Sequence, residues 1–177
     1  MLRLIYALTA TTALIAVSAP RTQAGTAVTT FKSKSYPYSL VYPTGWALHS
    51  TVYKGLHVDA FISPTVKQQF HDNVNIFAST IPSSLSNPAA LRQANEDQVI
   101  SSSHVKVTHV GSVRVNRQTL TMISWPEAVT GRSALVVTQA FLPASNRAYY
   151  FTLTTVQGDE KTLRPLFAQM LQAFHLR

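Results

Sequence analysis

The residues best suited to chemistry lie in the first half of the chain. His57 and Asp59 alternate along Leu56-His57-Val58-Asp59-Ala60-Phe61-Ile62-Ser63, so they share one strand face with Phe61. Val58, Ala60 and Ile62 share the other. His71 and Asp72 follow in what reads as a loop. Imidazole and carboxylate together suit zinc or manganese. Polar residues at a sheet edge give the same pattern, and spacing alone does not define a ligand set, so no metal ligand is assigned. His49, His104, His109 and His175 form no ligand spacing with one another. The acidic residues are only seven: Asp59, Asp72, Glu96, Asp97, Glu127, Asp159 and Glu160. Glu96-Asp97 and Asp159-Glu160 read as helix-surface charges. That leaves three carboxylates which only folding could pair for acid–base work. No Gly-x-Ser-x-Gly elbow and no phosphate-cradling glycine loop occurs. With no cysteine, thiolate catalysis, thiolate metal sites, disulfides and a cysteine lipid anchor are excluded. No catalytic residue and no cofactor is assigned, and the chain reads as a non-enzyme.

Charge is the one property of the whole chain that points outward. Lys plus Arg is 15 against Asp plus Glu of 7, a formal net charge of +8. Lys106, Arg114, Arg117, Arg132 and Arg147 are spread through the second half. Brought together, they would suit an anionic partner surface or lipid headgroups; scattered, they only solvate the protein. No polybasic run and no nucleic-acid-binding motif occurs, so nucleic acid is not an expected partner. Tyr36, Tyr38, Tyr42, Trp46 and Tyr53 crowd one stretch. Strand alternation buries about half of such a set. The rest could line a groove or an interface.

These residues must be placed by a fold, and the first 24 residues do not contribute to it. MLRLIYALTATTALIAVSAPRTQA has a charged start at Arg3, an uncharged apolar run from Leu4 to Ala19, a break at Pro20-Arg21, and small residues before Gly25. That layout predicts a signal peptide cleaved after Ala24. The apolar run is shorter than the roughly 20 residues of a spanning helix. The expected location is therefore extracytoplasmic, periplasmic or secreted. A domain of about 150 residues then buries roughly 68–70% of its unfolded surface, enough for a core without disulfides.

Residues 25–35 read as a flexible lead-in with a first strand near 28–32. Strands follow at 38–42, 46–53, 56–63 (ended by Pro64) and 74–80. Pro43-Thr44-Gly45-Trp46 is a turn. Asn87 and Pro88 open a helix through Leu91 and Val99, fraying at residues 101–103. Its apolar stripe is modest, which suits a surface helix. Strands return at 105–110, 113–115, 119–125 (stopped by Trp125-Pro126), 133–142 and 147–155, with a tight turn at Asn116-Arg117. Leu163, Leu166, Phe167, Met170, Leu171 and Phe174 make one continuous stripe of a final helix starting near Thr162. Pro165 then falls in its first turn. The prediction is an α+β domain with a central antiparallel β-sheet flanked by helices.

The order of these elements resembles the PsbP-like superfamily, which includes PsbP, DcrB, LpqN-type and Mog-type Ran-binding proteins. The resemblance is carried by Tyr38-Ser39-Leu40-Val41-Tyr42-Pro43-Thr44-Gly45-Trp46, by Asp59-Ala60-Phe61-Ile62-Ser63-Pro64 with Asn73-Val74-Asn75-Ile76, and by Tyr149-Tyr150-Phe151-Thr152-Leu153-Thr154 before a helix ending in Ala173-Phe174. It covers residues 36–176, within a single domain at 36–177. It implies an α/β/α sandwich, usually in a non-enzymatic accessory or binding protein. The missing lipobox cysteine departs from the cyanobacterial PsbP and LpqN-type patterns, so no photosynthetic role follows.

Two functions compete at this point. One is an exported accessory protein that docks to a protein or membrane-associated partner through its sheet face, loops and positive charge. The other is a small-ligand or metal-binding protein with a cleft between the sheet and the helix at 88–100. A small hydrolase ranks below both.

Overall fold

The structure is a computed structural model that describes residues 27–128 and 134–177. Ten strands and two helices follow in order: β1 Val28–Lys32, β2 Tyr38–Pro43, β3 Ala47–Tyr53, β4 Leu56–Lys67, β5 Phe70–Thr80, α1 Pro88–Ser103, β6 Thr108–Val115, β7 Gln118–Glu127, β8 Leu135–Ala144, β9 Arg147–Val156, α2 Glu160–Gln172 and β10 His175–Leu176. Seven strands form one antiparallel sheet in the order β3-β4-β5-β9-β8-β7-β6. A small sheet, β1-β2-β10, lies on one face beside α2, and α1 covers the other face. The sequence reading contains neither β10 nor the small sheet. Two residues carry no legible period.

Strand alternation divides the core in two. Phe61, Val74, Ile76, Phe151 and Leu153 meet Tyr38, Leu40 and the α2 residues Phe167, Met170, Leu171 and Phe174 on one side. Val58, Phe77, Tyr150, Phe141 and Trp125 meet Leu91 of α1 on the other. The aromatic packing on the first side is close: Tyr38 stacks on Phe174 at 4.8 Å between ring centroids, and Phe174 meets Phe151 edge-on at 4.9 Å.

Three prolines sit inside strands, against the expectation that Pro64 and Pro126 end theirs. The pairing explains this. β3 reaches β4 only as far as Ile62, so Pro64 lies beyond its neighbour and within a register shift between Ile62 and Val66. β6 reaches β7 only to Ser124, so Pro126 pairs on one side alone, with Val136. Pro143 pairs with Ala148 where β7 no longer flanks β8. In each case the missing N–H faces a side with no ladder to lose.

Other boundaries shift for local reasons. His71 and Asp72 belong to β5 rather than to a loop. The separate strands expected at 105–110 and 113–115 form one strand, β6, whose register slips between His109 and Ser112 around Gly111, φ +130°. Asn116 and Arg117 both have positive φ, 44° and 68°, as a two-residue hairpin turn requires. α2 begins at Glu160, before the expected Thr162, so Pro165 lies inside the helix. α1 runs to Ser103 and stops where His104 turns left-handed, φ 52°, its N–H donating to Ile100 O. At its start, the Asn87 side chain accepts from Ala89 N at 2.8 Å and Ala90 N at 3.4 Å. Asn87→Ala is expected to cost about 1 kcal/mol, read as a shift in urea midpoint with unchanged slope.

Candidate docking site

The turns decide where charge goes. The antiparallel order puts the β3–β4, β6–β7 and β8–β9 turns at one end of the large sheet. Lys54 lies in the first, Arg117 in the second, and Arg147 follows the third. Arg114 is one residue inside the β6–β7 hairpin. The 33–37 loop is pinned to the same end, because Tyr36 Oη donates to His57 O at 3.1 Å and Ala78 O at 3.2 Å. That loop brings Lys34. All five cations are exposed, and none is in an ion pair among the described residues. Lys54 Nζ lies 5.3 Å from the centroid of the exposed Tyr53 ring.

The opposite end holds most of the acid. Asp72, Glu127, Asp159 and Glu160 gather there, at the ends of β7 and β9 and the start of β5 and α2. Lys67 Nζ lies 2.7 Å from Asp159 Oδ2. The end with three turns is therefore basic, whereas the other end mixes these carboxylates with Lys67, Lys106, Lys161 and Arg164. Of the five basic residues singled out in the sequence, Arg114, Arg117 and Arg147 converge. Lys106 lies just before β6, at the acidic end, and Arg132 lies outside the described residues.

Beneath the basic end sits a buried carboxylate, Asp59, 3% exposed. It accepts from Ser33 Oγ at 2.7 Å, Tyr38 Oη at 2.6 Å and Ser50 Oγ at 2.6 Å. These donors come from the 33–37 loop, β2 and edge strand β3. One side chain thus fastens the small sheet and the edge strand to β4. Burial, and then the neighbouring carboxylate, push the Tyr38 phenol up. Arg177 holds the same loop, its guanidinium donating to Ser33 O at 3.0 Å.

The histidine–carboxylate group does not assemble. His57 is exposed, whereas Asp59 is turned inward and held by hydroxyls. His71 and Asp72 are adjacent on a strand and face opposite sides of the sheet. His71 Nδ1 lies 2.8 Å from Ser63 O, and Asp72 accepts from Val156 N at 3.2 Å. Among the described residues, no three His, Asp or Glu side chains could hold one metal ion. His109 instead meets Glu96 at 3.1 Å, and Glu96 also pairs with Arg92. The aromatic stretch divides: Tyr38 is buried, Tyr36, Tyr42 and Trp46 are partly buried against the core, and Tyr53 is exposed.

The acidic end makes a pH prediction. Glu127 Oε2 is buried with no hydrogen-bond partner, and burial pushes this carboxyl up. A raised folded pKa means the folded state holds the proton longer. Stability is then fully present below the ordinary carboxylate range and falls as pH rises through the folded value. Glu127→Gln should therefore raise Tm at pH 8 and leave it nearly unchanged at pH 3. A pH-independent difference between the two proteins in thermal scans would remove burial of charge as the cause.

No family model matches the sequence, and no curated protein does. Solved structures do match in shape. Cyanobacterial PsbP (CyanoP) from Synechocystis superposes with a TM-score of 0.56 at 14% identity, over 90% of this chain and 98% of that one. The Ran-binding protein Mog1p from Saccharomyces cerevisiae gives 0.59 at 9%, over 86% and 96%. A Pseudomonas aeruginosa protein of unknown function gives 0.53 at 16%, over 85% and 97%. The architecture is the PsbP-like fold. It is a mixed α+β fold with a large antiparallel sheet, two helices and a smaller second sheet. Among the described residues no helix is long and apolar enough to cross a membrane.

Proposed function

We propose that this protein is an exported, non-enzymatic binding protein that docks to an acidic protein surface in the cell envelope through the basic end of its large sheet. The observation that carries this reading is the convergence of Lys34, Lys54, Arg114, Arg117 and Arg147 from separate turns and strand ends, exposed and without ion pairs among the described residues. Such a surface speeds encounter with an acidic partner and fixes its orientation. Export rests on residues 1–24, which read as a cleaved signal peptide and lie outside the described residues. The fold is compatible with a binding role: Mog1p, which shares it, is a Ran-binding protein. Fold alone does not transmit a partner, so the site carries the argument.

The test is capture by the mature chain, residues 25–177, from native envelope extract at low and high salt. At about 0.1 M salt the screening length is about 10 Å, and at 1 M about 3 Å. A stoichiometric protein partner that washes off at high salt is the expected result. Anionic vesicles that bind equally well would replace the protein partner with a lipid surface. No partner at either salt overturns the proposal.

A further inference from the structure

The two edges of the large sheet are finished differently. β6 slips in register around Gly111, carries Arg114, and is tied to α1 where His109 meets Glu96. Bulges and charges of this kind keep an edge from pairing with another chain. β3, the other edge, has neither. Ala47-Leu48-His49-Ser50-Thr51-Val52-Tyr53 contains no Lys, Arg, Asp, Glu, Pro or Gly. Its pairing with β4 runs without a slip from Ala47↔Ile62 to Tyr53↔Leu56. Every residue of β3 is exposed, so both its faces are open. Leu48 (42%), Val52 (59%) and Tyr53 (42%) are three of the seven exposed large hydrophobic residues among the described residues.

The hairpin turn sets the direction of the backbone groups. Lys54 and Gly55, φ 47° and 81°, form a two-residue loop that closes on the pair Tyr53↔Leu56. The closing pair of such a hairpin exchanges both its hydrogen bonds, and bonded pairs then recur at every second residue. The N–H and C=O groups of Tyr53, Thr51, His49 and Ala47 therefore point at β4. Those of Val52, Ser50 and Leu48 point outward, where they meet no partner among the described residues. The side chains of these three residues lie on the small-sheet face, where Ser50 Oγ reaches Asp59.

We infer that β3 joins two copies of this chain across a twofold axis at Ser50, making one continuous sheet. The edge is complementary to itself in that register. With Ser50 opposite Ser50 of an antiparallel second copy, Leu48 lies opposite Val52 and Val52 opposite Leu48. All three outward-facing residues then meet outward-facing residues, and each pair exchanges both N–H···O bonds. The exposed Leu48 and Val52 side chains cover one another on one face. On the other face Tyr53 lies opposite Ala47, and His49 opposite Thr51. A shift of one residue sets outward-facing groups against inward-facing ones. A shift of two sets Leu48 against Lys54, or Val52 against Trp46. In the matched register the two Lys54 residues fall at opposite ends of the ladder, about 27 Å apart along the strands and beyond the roughly 10 Å screening length at about 0.1 M salt. Such an isologous contact closes on itself and uses up both edges. Any extended peptide would satisfy the backbone groups; the match of Leu48 to Val52 is what selects a second copy. This reading does not rest on docking at the basic end, and its variants leave the basic residues there unchanged.

The test begins with sedimentation equilibrium of residues 25–177 over rising concentration. The mass should climb from one chain to two and no further. Amide hydrogen exchange read by NMR locates the contact. The N–H groups of Leu48, Ser50 and Val52 should exchange about tenfold or more slowly in the dimer, while those of His49 and Thr51, bonded to β4 in either state, should change little. Leu48→Lys with Val52→Lys sets like charges directly opposite and should weaken association about tenfold or more. Leu48→Lys with Val52→Glu sets unlike charges opposite and should recover much of it. The wild-type measurements need no variant, so misfolding of either one leaves the test intact. A chain that stays monomeric at every concentration overturns the joint. So does a dimer whose three amides exchange as fast as in the monomer, because another surface then holds it. Equal weakening by both double variants overturns the register and with it the joint. Slowing of the three amides by added envelope extract alone overturns the second copy in favour of a foreign strand.

Discussion

Asp59→Ala will lose about 3–5 kcal/mol of stability, the largest effect expected from any single polar substitution here. The carboxylate accepts three hydroxyl hydrogen bonds, two of them from the buried residues Ser33 and Tyr38. Removing it leaves both donors buried and unpaired, at about 1–3 kcal/mol each. Ser50 lies on an exposed strand and can turn to water, so its loss counts for less. Three elements lose their common anchor at once, so the effect should exceed the sum of Ser33→Ala and Ser50→Ala. Asp59→Asn keeps one acceptor oxygen and should fall between wild type and alanine. Urea unfolding of residues 25–177 measures all four variants. If Asp59→Ala costs less than about 1 kcal/mol, the network does not fasten the small sheet.

Reversing charge at the basic end should do the opposite: little to stability, much to binding. The triple variant Lys54→Glu, Arg117→Glu, Arg147→Glu changes exposed turn and strand-end residues that make no ion pairs among the described residues. Exposed substitutions of this kind usually stay within about 0.5 kcal/mol each. Affinity for the captured partner should fall about 100-fold at about 0.1 M salt, mostly through slower association, and its salt dependence should flatten. A matched triple reversal at the far end, Lys67→Glu, Lys106→Glu and Lys161→Glu, should leave affinity almost unchanged. Equal losses from both variants would mean that net charge, rather than this surface, drives association.

Much of the fold is legible because it rests on local physics. Alternation along 56–63 places Phe61 and Val58 on opposite faces, and they enter the two cores so divided. Asn87 and Pro88 announce α1, and the stripe ending in Phe174 announces α2. What sequence alone does not show is set by pairing between distant strands. Pro64 and Pro126 read as stops because proline breaks a ladder, yet each lies where its neighbour has already ended. The same holds for charge. Arg114, Arg117 and Arg147 look scattered until the antiparallel order brings their turns to one end. Asp59 offered a usable signal, since sharing a face with Phe61 already argued for burial. Which layer that face would meet depends on the sheet's place between two layers, and that is not local.

β2 is flanked by β1 on one side and by β10 on the other, so residues 38 and 39 pair with 176 and 175. Tyr38 also stacks on Phe174. The earliest-synthesised part of the domain is therefore completed by one made some 135 residues later, a separation that slows closure by its entropy alone. A nascent chain can pair β4 with β5 early, but it cannot finish the layer that buries Tyr38. The small sheet is therefore closed only once β10 has been made.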